Sequence, residues 1–285
     1  MDHEFGGIWT RKKLELLEKY MQFYTTALKN TPFKLHFIDA FAGTGFHSQK
    51  TTAEQTDLVP INTLLGSASI SLNVTPPFDA YHFNDLDESH YNSIQAIAKT
   101  HSDKQIYVGC EDANSFVSKF CISMKRLDRA VIFLDPYNTE LDWNTVELVA
   151  KTQKADLWLL FPISTLLRMT PRDGARIRPE WREKLNRLLG TDEWESSLYK
   201  EKPPLVNRDL FEGEETDPLI ERIDVEELSN WLIERFQSIF SFTANPVMLK
   251  NKGKPLFLFI FSVSNPSTKA EALAKRVVKH IIANT

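Results

Sequence analysis

Cysteine and glycine are scarce in this 285-residue chain, which contains two cysteines and ten glycines. Cys110 and Cys121 are too few for a disulfide framework or a cysteine metal site, so we expect two reduced thiols and no metal centre. No apolar run approaches the length that crosses a membrane, and the N-terminus has no apolar signal core. These absences exclude a disulfide-rich secreted scaffold and predict a cytoplasmic protein.

The chain also lacks an excess of positive charge. Its 34 Lys and Arg residues are outnumbered by 38 Asp and Glu residues, which gives a net charge of −4 with His neutral. This balance disfavours a general polyanion-binding protein but leaves a local basic patch open. The apolar fraction of 42% and the charged fraction of 25% are ordinary for a globular chain. The length suits one large α/β domain, or one domain with an insertion.

Two of the glycines lie close together after a short apolar run. Leu35–Asp39 is typical of a buried strand, and the loop that follows passes through Gly43 and Gly45. Because glycine lacks a Cβ atom, the backbone there can adopt a positive φ and let a ligand come close. A third glycine in register is absent, so the loop does not match the G-x-G-x-x-G pattern that a nicotinamide-dependent oxidoreductase would need.

Strands and helices alternate along most of the chain, beginning with a helix whose predicted N-cap is Thr10. The predicted strands are Leu35–Asp39, Tyr81–Asp87, Gln105–Val108, Ala130–Leu134 and Leu157–Phe161, with a closing hairpin of Val247–Lys250 and Leu256–Val263. The predicted later helices are Ser89–Thr100, Phe116–Lys125, Asp142–Lys151, Val225–Phe240 and Ser267–Ile282. Such alternation predicts an α/β fold, a Rossmann-like, doubly wound and mostly parallel sheet with helices on both faces.

We predict one domain over residues 1–285, with an N-terminal helix in 1–31 and a C-terminal hairpin and helix in 245–285. A helical and loop insertion after strand five, residues 165–224, would act as a lid or select the substrate. A polar stretch after the glycine loop, His47–Asp57, reads as flexible.

Basic residues cluster in two places. Arg168 to Thr191 reads as one basic helix, which either forms a solvated or ion-paired face or holds the phosphates of a nucleic acid. The arginines concerned are Arg168, Arg172, Arg176, Arg178, Arg182 and Arg187. At the start of the first helix, Arg11, Lys12 and Lys13 either form a solvated face or supply one ligand contact.

Four aspartates follow predicted strands: Asp39, Asp85, Asp112 and Asp135. Any one of them could simply cap the next helix, but four in succession, the first beside a glycine loop, favour a nucleoside-type cofactor at the carboxyl ends of the strands. The order fits S-adenosyl-L-methionine (SAM), with Asp85 accepting the ribose hydroxyls and Asp112 the adenine amino group. The predicted cofactor-binding residues are Asp39, Phe41, Ala42, Gly43, Gly45, Asp85, Leu86, Asp112 and Ala113.

Asp135, Pro136 and Tyr137 are the predicted catalytic residues. They resemble the D/N-P-P-Y/F signature of amino-directed methyltransferases, in which the carboxylate accepts hydrogens of a planar amine and the aromatic ring stacks on the target base. Such catalysis depends on in-line positioning. The second proline of the signature is absent here, which puts an adenine target in doubt, and Tyr137 is equally readable as a loop aromatic that covers the core.

The chain as a whole resembles the three-Cys-motif partner protein family (TcmP), bacterial proteins that look like class I methyltransferases. The similar segments include 37–45, 66–68, 83–87, 109–114, 133–137, 156–162, 188–194 and 262–266. The resemblance implies a seven-stranded sheet with an antiparallel edge and a three-Cys-motif protein as partner. The expected function is SAM-dependent methylation of an amino group, including that of a nucleic-acid base, with S-adenosylhomocysteine (SAH) as product. The alternative is a non-catalytic methyltransferase fold that binds the partner.

Overall fold

An eight-stranded sheet forms the centre of the fold in a computed structural model that describes residues 8–47, 64–202 and 219–283. The strands of the described residues are β1 (Lys34–Asp39), β2 (Phe46–His47), β3 (Leu64–Leu65), β4 (Ala80–Asn84), β5 (Ile106–Gly109), β6 (Asp128–Leu134), β7 (Ala155–Phe161), β8 (Tyr199–Lys202), β9 (Leu219–Arg222), β10 (Phe242–Thr243), β11 (Val247–Asn251) and β12 (Lys254–Val263). The helices are α1 (Ile8–Leu28), α2 (Ser67–Leu72), α3 (Glu88–Thr100), α4 (Ala113–Ser123), α5 (Trp143–Thr152), α6 (Ile163–Met169), α7 (Pro179–Leu189), α8 (Trp194–Leu198), α9 (Val225–Ile239) and α10 (Thr268–Ala283), with a 3-10 turn at Gly174–Arg176.

The strand order of the main sheet is β10-β12-β7-β6-β1-β4-β5, and β11 pairs with β12 as well. The five strands from β7 to β5 in that order run parallel, whereas β12 runs antiparallel to its neighbours β7, β10 and β11. Because β1 pairs with β4 on one side and β6 on the other, the winding of the chain reverses at β1. The Rossmann-like, doubly wound and mostly parallel sheet is thereby confirmed, with one more edge strand than the seven predicted.

Successive side chains of the central strands face two separate cores, one on each side of the sheet. Ile38 of β1 and Ile132 of β6 belong to the core that α4, α5 and α9 cover. Phe37 and Val131, the neighbouring residues, belong to the core that α1, α2 and α10 cover. This alternation is the two-residue period of an extended chain, and a strand buried on both faces reads as a continuous apolar run.

The predicted basic helix from Arg168 to Thr191 is wrong as a single element. The chain leaves α6 at Met169, makes a short 3-10 turn, and re-enters a helix only at α7. Proline explains the interruption, because Pro171 cannot continue a helix and Pro179 is suited to the first turn of a new one, where it lies.

Several smaller predictions need correction or fall outside the described residues. Thr10 is not an N-cap, because it lies buried within α1. The strand predicted over Tyr81–Asp87 ends at Asn84. Residues 48–57 of the stretch predicted as flexible lie outside the described residues, and so do residues 203–218 of the predicted insertion. The strands on either side of 203–218, β8 and β9, pair with each other.

Both cysteines are free thiols, Cys110 exposed and Cys121 buried. None of the described helices combines the length and the apolar character that a bilayer crossing requires.

Two histidines of neighbouring strands contact each other on one face of the sheet. Nδ1 of His36 lies 3.1 Å from Nε2 of His82, and His82 stacks on Tyr107 with ring centroids 4.8 Å apart. Burial lowers the pKa of His82 to about 4, with a further contribution from the charge of His36. Burial also lowers the pKa of His36.

This pair is expected to make the protein less stable in acid. Between pH 6.5 and 4 the unfolded state binds more protons than the folded state at these positions, so stability falls as the pH falls through that window. We expect His82→Gln to remove about 2 kcal/mol of this acid-dependent loss. Urea unfolding of the wild type and the variant at pH 7 and pH 4.5 measures the difference. An equal fall in the free energy of unfolding between the two pH values in both proteins would refute it.

Candidate active site

The glycine loop is held between β1, β4 and α2. The amide of Ala42 donates to the carbonyl of Asn84 at 2.9 Å, and the amide of Gly66 donates to the carbonyl of Gly45 at 2.9 Å. Gly43 and Gly45 have φ values of 58° and 75°, in the left-handed region that side chains disfavour. The sequence-based interpretation of this stretch as a tight, glycine-dependent turn is therefore confirmed.

Gly45 is expected to be the less replaceable of the two glycines. A Cβ atom at Gly45 would lie 2.5 Å from Cδ1 of Ile97, whereas a Cβ at Gly43 or Gly253 meets no atom within 4 Å. We expect Gly253→Ala, with strain but no contact, to lower the free energy of unfolding by about 1 kcal/mol, and Gly45→Ala to lower it by about 1–2 kcal/mol, because the end of the Ile97 side chain must also turn away. Urea denaturation measures both, and equal losses would show that the contact with Ile97 is not tight.

Asp39 ends β1 and is completely buried. One carboxylate oxygen accepts from the hydroxyl of Ser67 at 2.5 Å, and the other accepts from the amide of Phe41 at 3.2 Å. Burial raises the pKa of Asp39 to about 7, the hydrogen bond from Ser67 lowers it, and the charge of Asp135 raises it. Burial thus raises the pKa of Asp39 by more than the nearby hydrogen bonds and the positive charge of Lys13 lower it.

Asp85 and Asn84 follow one another at the end of β4. The Asp85 carboxylate is buried and accepts from the amides of Gly43 at 2.9 Å and Asp87 at 3.0 Å. The Asn84 side chain donates to the carbonyls of Ala40 at 3.2 Å and Glu111 at 2.9 Å. These contacts tie the loops after β1, β4 and β5 together, and sequence analysis did not identify Asn84 as part of the site.

Asp112 caps α4, because its carboxylate accepts from the amide of Ser115 at 2.9 Å. The Asp112 side chain is exposed, Ala113 beside it is buried, and Leu86 is 71% exposed. The helix-capping interpretation thus describes what Asp112 does in this structure, and contact with an adenine amino group stays a prediction.

Lys13 pairs with Asp135, and this contact was not predicted. The two side chains form a short ion pair in which Lys13 is 3% and Asp135 24% exposed. Nζ of Lys13 also lies 5.9 Å from the ring centre of Phe133 and 5.5 Å from that of Trp9. The solvated-face interpretation of this basic cluster is therefore wrong for Lys13, which is buried against Asp135.

In the loop that follows β6, Pro136 is buried, whereas Tyr137 is 58% exposed and lies at the protein surface. The pKa of Tyr137 is raised by burial and then by the negative charges of Asp85 and Asp135. Because the ring is exposed, it is available for stacking on a planar ligand.

The predicted aspartates converge at the carboxyl edge of the sheet. The charge of Asp135 reaches Asp39, and Tyr137 senses both Asp135 and Asp85. Burial raises the pKa of Glu140, and the charges of Asp85 and Asp112 raise it further. The acids of β1, β4, β5 and β6 therefore share one electrostatic environment.

Several of the predicted phosphate-binding arginines are committed to ion pairs. Arg182 makes a bidentate contact with Glu195 at 2.8 and 2.9 Å, and Arg187 donates to Asp142 at 2.6 and 2.9 Å. Their presence in ion pairs agrees with the structural interpretation of this basic segment.

Comparison with known proteins supports the fold. No protein-family model matches the chain, and no curated protein matches its sequence. Among solved structures, it is similar to protein LPL1258 of Legionella pneumophila, described under family DUF519, with a TM-score of 0.54 and 12% identity over 97% of this chain and 92% of that one. It is also similar to a SAM-dependent methyltransferase from Clostridium acetobutylicum, with a TM-score of 0.36 and 12% identity over 87% of this chain and 92% of that one. At 12% identity the similarity to LPL1258 shows a shared fold alone.

Proposed function

We propose that this chain is a SAM-dependent methyltransferase that acts on an amino group. One observation carries the proposal: buried Asp39 and Asp85 are fixed around the glycine loop where the sheet changes winding direction, with Asp135 and Tyr137 beside them. Ligands of doubly wound sheets bind at that position.

The residues fit the cofactor. SAM supplies an electrophilic methyl group on a cationic sulfur when bound, and it also carries an ammonium group. The raised pKa of Asp39 indicates a carboxyl group that a nearby cation would stabilise in its ionised form. Asp85 is oriented by two amide donors, and a carboxylate has further acceptor capacity for ribose hydroxyls. Gly43 leaves open space where a side chain would stand.

The acceptor amine would lie against Asp135, Pro136 and Tyr137. Asp135 would accept one amine hydrogen, which directs the nitrogen lone pair, and Tyr137 would stack on a planar acceptor. A planar amine of this kind is the exocyclic amine of a nucleic-acid base. The resemblance to the three-Cys-motif partner family suggests a three-Cys-motif protein as the partner. The proposal therefore includes a nucleic-acid base as the acceptor and a three-Cys-motif protein as the partner.

Transfer of a labelled methyl group tests the proposal. The protein is incubated with methyl-labelled SAM and total RNA, DNA or protein, with and without the three-Cys-motif protein, beside Asp135→Ala as the inactive control. We expect label in a nucleic acid with the wild type and none with the variant. Binding of SAH without labelling of any acceptor would contradict catalysis and favour the non-catalytic alternative.

A further inference from the structure

The ammonium group of Lys13 contacts the carboxylate that is proposed to hold the acceptor amine. It approaches Oδ2 of Asp135 from α1, across 122 residues of sequence. No hydrogen bond to the other oxygen, Oδ1, is found among the described residues. The rings of Trp9 and Phe133 lie beside the ammonium group, so few alternative positions are open to it.

The same ammonium group acts on Asp39. The charge of Lys13 lowers the pKa of Asp39, whereas the charge of Asp135 raises it. Lys13 therefore contacts one of these carboxylates, Asp135, and its charge acts on the other, Asp39. It is almost completely buried, where charges are weakly screened. Removal of either partner of a buried pair leaves an unbalanced charge.

We propose that Lys13 is a positioning residue of the acceptor site that makes it select a neutral amine. It fixes Asp135 through Oδ2, leaves Oδ1 to accept a hydrogen of the acceptor, and neutralises the carboxylate. A protonated alkylamine such as a lysine side chain meets the Lys13 ammonium, whereas the uncharged planar amine of a nucleobase does not. This inference rests on the proposed methyltransferase function and narrows its substrate class.

The affinities of SAM and SAH give a test that needs no identified acceptor. The two ligands differ by one methyl group and one positive charge at sulfur, so the ratio of their dissociation constants, Kd(SAH)/Kd(SAM), reports the charge of the site. Loss of overall stability changes both affinities together and leaves the ratio unchanged.

Charge-changing variants are expected to move this ratio in opposite directions. In Lys13→Met the ratio should rise at least about fivefold, because the site loses a positive charge that would disfavour the cationic ligand. In Asp135→Asn it should fall at least about fivefold, because the ammonium of Lys13 is left uncompensated. The double variant, and Lys13→Arg with its charge retained, should stay within about twofold of the wild type.

Lys19→Met is the matched control, because Lys19 lies on the same helix and pairs with Glu15 at a partly exposed position. It should leave the ratio unchanged. If Lys13→Met does not fold, the double variant, which removes both charges, is compared with Asp135→Asn. A ratio that falls in Asp135→Asn and returns to the wild-type value in the double variant still reports the charge of Lys13.

The outcomes distinguish a failure of the role of Lys13 from a failure of the proposed methyltransferase function. A wild type that binds neither ligand overturns both. A wild type that binds both ligands, with a ratio that no variant changes, overturns the role of Lys13 alone. Mass spectrometry after incubation with SAM should find Lys13 unmethylated, and a methyl group on Lys13 would make it an acceptor and overturn its positioning role.

Discussion

Replacing Asp135 by alanine is expected to lower the rate of methyl transfer at least about 100-fold while the affinity for SAH changes less than about threefold. The variant loses the carboxylate that aims the acceptor amine, whereas the glycine loop, Asp39 and Asp85 on the cofactor side are unchanged. Single-turnover transfer from labelled SAM and calorimetric titration of SAH measure the two quantities separately.

The variant needs a control for the ion pair that it breaks. Asp135→Ala leaves the buried ammonium of Lys13 without its partner, so we expect a loss of about 3 kcal/mol in folding stability. The transfer assay and the SAH titration are therefore carried out well below the melting temperature of the variant. Asp142→Ala removes an aspartate–arginine pair with Arg187 at a more exposed position and should retain activity. An equal loss of transfer and SAH binding in Asp135→Ala would place Asp135 in the cofactor site instead.

The affinity for SAM is expected to rise about tenfold per pH unit between pH 5 and pH 7 and then to level off. The pKa of Asp39 is about 7 in the folded protein because of burial. A cationic ligand beside Asp39 favours the ionised carboxylate, so binding below pH 7 expels a proton. Above pH 7 the carboxylate is already ionised and the dependence ends.

Calorimetry in two buffers of different ionisation enthalpy measures the proton that is released on binding. Asp39→Asn should bind SAM more weakly, without proton release and without the rise between pH 5 and pH 7. Ser67→Ala is the matched variant: it removes the hydroxyl that donates to Asp39, so it should raise the pKa of Asp39 and extend the pH-dependent region upward. An affinity for SAM that is independent of pH in the wild type would separate Asp39 from the bound cation.

The central strands and the glycine loop could be predicted because their signals are local. Ala130–Leu134 is a continuous apolar run, and such a run marks a parallel strand covered on both faces. The turn through Gly43 and Gly45 depends on glycine geometry alone. The interruption of the basic segment also has a local signal, because Pro171 and Pro179 mark it. The prediction of one helix from Arg168 to Thr191 did not use this signal.

The contacts that complete the site could not be predicted, because they join distant parts of the chain. Lys13 meets Asp135, which lies 122 residues later, and Asn84 binds backbone groups on both neighbouring loops. One signal for Lys13 was present in the sequence: Leu17 and Tyr20 follow it at four and seven residues on the same helix, and both are buried. That spacing places Lys13 on the inner face of α1, where a cation requires a partner.

Titration of SAH into the folded wild-type protein tests the central claim, that the carboxyl ends of β1 and β4 form an adenosyl-cofactor site, most directly. We expect one binding site per chain and a melting temperature that rises with ligand concentration, equivalent to about 2.7 kcal/mol of stabilisation at 100 times Kd. It also predicts a weaker effect in Asp85→Ala, because the ribose hydroxyls lose their acceptor. A melting temperature that millimolar SAH and SAM both leave unchanged, in a protein that unfolds cooperatively, would show that this edge of the sheet is not an adenosyl-cofactor site.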